Sequence, residues 1–498
     1  MKVAIVGAGA GGLAAAVDLA RNGADVTVFE RAVAPGGKIR RARAGDASLD
    51  AGPTVFTMRW IFDALFEDAG AKLDDSMVLR SADLLARHAW GDGARLDLFA
   101  DIERSVDAIA AFADARDADA YRAFCAESAS IFQTLRDPFI VRERPSPLEV
   151  VARVGALNMP AFLARTRPLT TLWSALCARF RNPRLRQLFA RYATYVGSSP
   201  FETPATIMLV AHVEQSGVWT VEGGMAAVPR AVAGLAERLG AAIRYAARVV
   251  EIVVDCGRAA GVRLAGGERV DADAVVFNGD ASALGQGLLG DGARRAADAL
   301  AHKQRALSAV TWCMKTRTEG FPLAFHNVFF NDDYRGEFDA IFTRREAPAD
   351  PTVYVCAQDR DAFADGDATG PERLFALTNT PSTGDDPSAV ISRDEATARM
   401  VARLEACGLR LEPAAVEDAA IATPTDFATA FPGAGGAIYG RNSHGPGATL
   451  ARPGARTRVP GLYLAGGSAH PGPGVPMATM SGRLAAARLL ADAGRARR

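Results

Sequence analysis

The chain has 498 residues, 49% hydrophobic and 23% charged, which is too long for one compact core and too apolar for extended disorder. Lys+Arg and Asp+Glu number 57 each, so the formal net charge is zero and whole-chain electrostatics give no case for nucleic acid. Six cysteines (Cys125, Cys177, Cys256, Cys313, Cys356, Cys407) are scattered without a CxxC pair or a histidine at ligand spacing, which argues against a disulfide frame and a metal site.

The N-terminus enters a short apolar run, Lys2 to Val6, without the longer apolar stretch of a signal peptide. No run of about 18 apolar residues free of charge occurs, so a spanning helix is not expected. Gly7-Ala8-Gly9-Ala10-Gly11-Gly12 follows, then an Ala-rich helix from Leu13 ending near Gly23, then a strand over Asp25–Glu30. This is a βαβ unit carrying G-x-G-x-x-G. Gly7 makes the tight turn, Gly9 lets backbone approach a pyrophosphate, and Gly12 permits close helix–strand packing. The helix N-terminus favours the phosphates. Glu30, 18 positions after Gly12 (30 − 12), can accept hydrogen bonds from both ribose hydroxyls of an adenosine. The pattern predicts dinucleotide binding.

Arg31 begins a stretch containing Pro35-Gly36-Gly37-Lys38, followed by Asp50-Ala51-Gly52-Pro53-Thr54. This E-R-x(4)-G-G-[RK] then D-x-G-P pattern resembles the second signature of the flavin amine oxidase and phytoene desaturase superfamily. The resemblance implies FAD, with Arg31, Gly37, Lys38, Gly52, Pro53 and Thr54 wrapping its ribityl chain and pyrophosphate.

In the middle of the chain Gly223-Gly224-Met225 opens a helix to about Leu239. Strands are predicted at Ile243–Tyr245, Val249–Val254, Gly261–Leu264 and Asp273–Asn278. The resemblance implies that Val249 holds the adenine through its backbone. Asn182 to Gly197, Ser199-Pro200, Gly217-Val218-Trp219 and Glu222 to Met225 look like the 1-hydroxycarotenoid 3,4-desaturase (methoxyneurosporene dehydrogenase) branch more than phytoene desaturase itself. Asn331 to Phe338 and Gly435 to Gly440 also fit that family.

At the far end, a strand at Gly461–Ala465 leads into Gly466-Gly467-Ser468-Ala469-His470-Pro471-Gly472-Pro473-Gly474-Val475-Pro476-Met477, then a small-residue helix from Ala478 to Ala491. The strand–turn–helix order makes a second backbone cradle, suited to the isoalloxazine end of a flavin. Its motif closely resembles that of bacterial carotenoid desaturases, which implies cofactor contacts from Gly466, Gly467, Val475, Pro476 and Met477. The wider superfamily mostly has Asp where Gly467 or Ser468 stands; this chain departs from that pattern.

The expected fold is α/β. A discontinuous FAD-binding, Rossmann-like domain of the glutathione-reductase type comprises 1–105, 222–290 and 420–498. An inserted mixed α+β substrate and membrane-facing domain comprises 106–221 and 291–419. From Val151 to Phe201 there is no Asp or Glu, whereas eight arginines occur: Arg153, Arg165, Arg167, Arg179, Arg181, Arg184, Arg186 and Arg191. Leu169, Leu172, Trp173, Leu176 and Phe180 recur at helical spacing after Pro168, read as a first helical position. The stripe suits either a core-facing helix or an anionic membrane surface; the missing acids favour 151–201 as a membrane dock.

The resemblance implies desaturation of an acyclic carotenoid, with oxygen or a quinone as electron acceptor, in a bacterial cytoplasm at the inner-membrane surface. Candidate acid–base residues are His470, Arg191, Tyr192 and Tyr195, each of which also has a structural reading; for His470 that is a loop brace. Rival readings are an isomerase or polyene saturase of the same fold, an amine oxidase, and a non-catalytic isoprenoid escort protein.

Overall fold

The computed structural model describes residues 1–360, 363 and 370–496. Residues 361, 362 and 364–369, within the expected substrate domain, and 497–498, within the expected cofactor domain, lie outside the described residues.

Apolar runs too short for helices assemble into a five-stranded parallel sheet, in the order Ala242–Arg244, Asp25–Phe29, Lys2–Val6, Ala274–Phe277, Leu462–Leu464. Strands covered on both faces read as continuous hydrophobic sequence, and Ala274–Phe277 is buried at every position. Helix Ala10–Arg21 lies on one face, against helices Ala227–Arg238 and Val475–Ala496. Small residues let these helices approach closely: a Cβ on Gly482 would sit 1.9 Å from the Gly11 carbonyl oxygen. The antiparallel strands Val249–Asp255, Arg258–Leu264 and Arg269–Asp271 supply the core of the other face.

A seven-stranded sheet stands apart, in the order Ala420–Ala422, Ser308–Thr316, Glu372–Thr380, Val353–Ala357, His326–Phe329, Leu84–Ala89, Arg95–Phe99. Leu84–Ala89, Arg95–Phe99 and Ala420–Ala422 were expected with the cofactor domain, and the sheets do not follow those boundaries. His326–Phe329 pairs in parallel with Leu84–Ala89, a contact more than two hundred residues apart that no local pattern announces. Helices Ala115–Leu135, Leu172–Arg179 and Pro183–Ala190 cover part of this unit around Phe124, Phe180 and Phe189.

The expected membrane stripe is corrected here. The helix starts at Leu172 with Thr171 as cap, not at Pro168, and Leu172, Leu176 and Phe180 are buried at 0%, 0% and 1% exposure. Trp173 packs against the same core, on Phe201. Acids from elsewhere also neutralise the basic stretch: Glu127 takes ion pairs from Arg167 and Arg179, and Asp92 pairs with Arg184. Asp117 accepts from the Arg181 and Asn182 amides at 2.8 and 2.7 Å.

What is exposed lies just before that helix. Pro147–Val154, opened by a reciprocal Ser146/Glu149 cap, buries no residue, and Met159–Thr166 buries only Thr166. Leu148, Leu157 and Leu169 are 83%, 97% and 76% exposed. No described helix is long and apolar enough to cross a membrane.

Candidate active site

One cavity of about 1050 Å³ runs from the parallel sheet into the seven-stranded unit. At its sheet end, Gly7 turns the chain with φ of 99°, and a Cβ on Gly12 would lie 2.1 Å from the Gly7 carbonyl oxygen, so only glycine closes this helix onto this strand. Helix Ala10–Arg21 has no side chain capping its N-terminus, and Gly9, Ala10 and Gly11 line the cavity with the first-turn amides. Glu30 is buried, its carboxylate accepting from the Ala8 and Ala32 amides, each at 2.8 Å. Those bonds hold it facing the cavity with lone pairs to spare for two ribose hydroxyls.

The C-terminal cradle meets this end through Asn278. Its Nδ2 donates to the Gly7 carbonyl at 3.1 Å, and its side chain lies where Cβ atoms on Gly9, Gly11 or Gly466 would be. Arg452 donates to the carbonyls of Tyr439 at 3.0 Å and Gly467 at 3.1 Å, and burial pushes its guanidinium down to about 10. Lys38 Nζ donates to the Ile438 carbonyl at 2.5 Å. Burial pushes the Lys38 amine down and the Asp280 carboxyl up, each drawn back by the other's charge. These cations line the cavity, where they could pair with an anionic ligand.

The far end is apolar, with Met159, Phe162, Leu163, Val210 and Val213 on its walls. A polar cluster interrupts it, and Glu337 with Thr352 forms another polar part of the lining. Arg191 opens the 3-10 turn Arg191–Val196, and its Nη2 donates to the Tyr195 hydroxyl at 2.5 Å. Glu214, from helix Leu209–Gln215, has the Tyr192 and Tyr195 hydroxyls directed at it. Burial pushes its carboxyl up while Arg191 draws it back. Tyr354 lies beside them, its ring centroid 6.0 Å from the Arg191 guanidinium carbon. Its hydroxyl is 2.7 Å from Thr54 Oγ1 and 2.7 Å from His326 Nδ1. Burial, then the Arg191 charge, pushes His326 down to about 3, so the ring is neutral at physiological pH.

The structure gathers Gly7, Gly9, Glu30, Arg31, Gly37, Lys38, Gly52, Pro53, Thr54, Val249, Gly466, Gly467, Val475, Pro476 and Met477 around this cavity, with Gly12 packed behind it. Arg191 and Tyr195 line its wall; Tyr192 stands behind, against Phe189. His470 also lines the cavity, but on the C-terminal loop. Its Nε2 is 2.8 Å and 3.0 Å from the Phe139 and Arg142 carbonyl oxygens, which makes it a brace between the C-terminal loop and segment 139–142. Among the described residues no group of acids, histidines and cysteines could hold a metal ion. Asn278, Arg452, Glu214 and Tyr354 were not anticipated.

A glycine cradle between two helix starts, an amide-held carboxylate facing the cavity and an attached apolar chamber define an FAD-dependent oxidoreductase. The family described as flavin containing amine oxidoreductase matches residues 10–490. A hydroxyneurosporene desaturase of Rubrivivax gelatinosus is 50% identical over 492 residues, covering 98% of this chain and 93% of that protein. A hydroxyneurosporene desaturase of Cereibacter sphaeroides is 46% identical over 491 residues, covering 99% and 98%. The solved cyclohexylamine oxidase of Brevibacterium oxydans superposes with a TM-score of 0.57 at 16% identity over 99% of each chain, a likeness of fold alone. The chain belongs to the flavin-containing amine oxidoreductase family and, within it, to the carotenoid desaturases.

Proposed function

We propose that this chain introduces a C=C bond into an acyclic carotenoid, by 3,4-desaturation of a 1-hydroxycarotenoid. The observation that carries this reading is the continuity of one cavity from the Glu30 and Gly9 cradle to the apolar walls around Phe162 and Val210. The likeness to the two hydroxyneurosporene desaturases supports the choice of substrate. Bound FAD supplies the two-electron acceptance that this oxidation needs, and we assign its reoxidation to oxygen or a quinone.

The chain's own residues do the rest. Gly9, Glu30, Lys38 and Gly466 would hold the dinucleotide at the junction of the two units. Apolar walls exclude water and align a rigid polyene so that one bond lies at the cofactor. Tyr354 fixes Thr54, on the loop expected to follow the flavin, to the seven-stranded sheet that forms the substrate wall.

Burial of hydrocarbon contributes about 0.8 kcal/mol per CH₂, so a long polyene stays in lipid and has to be taken from there. Exposed Leu148 and Leu157 belong to the same segment as Val150, Met159, Phe162 and Leu163, which line the cavity. We assign 147–169 as the face that rests on the membrane and admits substrate, in place of the stripe around Leu172. Expression in a bacterial host that accumulates acyclic 1-hydroxycarotenoids tests the activity. A pigment lighter by H₂ and red-shifted is expected; unchanged mass with altered retention would make the protein an isomerase.

A further inference from the structure

We propose that Arg191, with Glu214, is the anchor for the terminal hydroxyl of the substrate and so sets which end of the polyene enters first and which bond is oxidised. The inference rests on the reading that the substrate is a 1-hydroxycarotenoid.

Both side chains are enclosed in the protein and line the cavity, between Val210 and Val213 on one side and Tyr354 on the other. Enclosing a guanidinium and a carboxyl is a poor way to stabilise a wall: apolar side chains of similar volume often serve as well or better. A pocket built for hydrocarbon alone would therefore be apolar here. A guanidinium carries five N–H donors. Among the described residues Arg191 makes one hydrogen bond, to Tyr195, and its remaining donors have no protein acceptor. Against a hydrocarbon they stay desolvated and unpaired, which costs free energy; against an alcohol they are satisfied. The alcohol accepts a hydrogen bond from Arg191 and donates one to a carboxyl oxygen of Glu214.

The position fits the chemistry. In a 1-hydroxy substrate a single methylene separates the hydroxyl-bearing carbon from C3. An anchor for that hydroxyl has to stand beside the reacting bond, not at the distant end of the tunnel. Arg191 is connected to the loop expected to follow the flavin: its guanidinium carbon is 6.0 Å from the Tyr354 ring, and the Tyr354 hydroxyl is 2.7 Å from Thr54 Oγ1 on the Gly52-Pro53-Thr54 loop.

The test compares an acyclic 1-hydroxycarotenoid with its parent hydrocarbon, using purified holoprotein in detergent, by kcat/KM and by equilibrium binding read from quenching of protein fluorescence. Arg191→Leu is expected to lower the preference for the alcohol by about tenfold to a hundredfold, the loss of a hydrogen bond to a charged group. Arg191→Lys should restore part of it. Tyr195→Phe, which keeps the ring and frees one guanidinium donor, should change the preference with bound FAD retained, and it stands in if Arg191→Leu does not fold. Equal loss on both substrates with full FAD content overturns the anchor, and so does an unchanged preference. Wild-type protein that binds the alcohol preferentially but oxidises neither substrate keeps the anchor and sinks the desaturase reading. Wild-type protein that oxidises and binds both alike does the reverse.

Discussion

The Tyr354 hydroxyl lies 2.7 Å from Thr54 Oγ1, three hundred residues away in sequence, and joins the loop after the first strands to the middle of the seven-stranded sheet. The same hydroxyl meets Nδ1 of the neutral His326 ring at 2.7 Å, so one phenol satisfies two groups. Tyr354→Phe leaves both unpaired at a cost of about 1–3 kcal/mol. The expected result is a lower thermal midpoint and a lower kcat with FAD content unchanged, read by absorbance and product formation. Loss of FAD would place Tyr354 in cofactor binding instead.

Glu30 is the residue we assign to the ribose of the cofactor. Its two carboxylate oxygens each accept a backbone amide, and only an anion serves those two donors and two ribose hydroxyls together. Glu30→Gln is expected to weaken FAD affinity by about tenfold to a hundredfold. The ratio of flavin to protein absorbance after dialysis measures it.

Gly12→Ala tests the packing of the first helix. The added methyl would stand 2.1 Å from the Gly7 carbonyl oxygen, which is backbone and cannot turn aside. Overpacking costs about 1–3 kcal/mol or more, here at the turn we assign to the pyrophosphate. The variant should be recovered colourless or aggregated. A yellow, stable Gly12→Ala protein would contradict the close contact.

The cofactor half was legible in sequence because its determinants are local: glycines at fixed offsets, an acid at the end of the next strand, and a second Gly/Pro loop before a helix. Even Gly466 and Gly9, far apart in the chain, were placed together through separate motifs. The substrate half was not, because its sheet is built from pairings such as Asn327 with Arg87, for which no short window holds a signal. The basic stretch misled for the same reason: Glu127, Asp92 and Asp117 come from other elements. Arg191 and Tyr195 could be named but not their partners. Glu214 had one signal, an acid following the apolar Leu209, Val210, Ala211 and Val213 on a short helix.

Stability should carry a pH signature from Glu337. Burial, opposed by hydrogen bonds from Thr352, pushes its carboxyl up to about 7, against about 4.3 for an unfolded chain. Between those values the folded state keeps a proton that the unfolded state has lost, so this group's contribution to unfolding free energy falls as pH rises through the window and levels off above it. Glu337→Gln should flatten that limb in urea unfolding at about pH 5 and about pH 8. An unchanged slope would remove Glu337 as its source.

Membrane contact through 147–169 is tested by Leu148→Glu with Leu157→Glu. Both side chains are almost fully exposed, so the fold should be indifferent. Removing two leucines from the lipid interface is expected to lower co-sedimentation with anionic phospholipid vesicles by about tenfold or more. Undiminished binding would move the docking face elsewhere.

The most direct test of the central claim is anaerobic mixing of the purified holoprotein with an acyclic 1-hydroxycarotenoid, following flavin absorbance and product mass together. Loss of the oxidised-flavin band in step with a product lighter by H₂ and extended in conjugation is the predicted result. A flavin band that stays oxidised while the pigment is unchanged, or changes only its geometry, would contradict it.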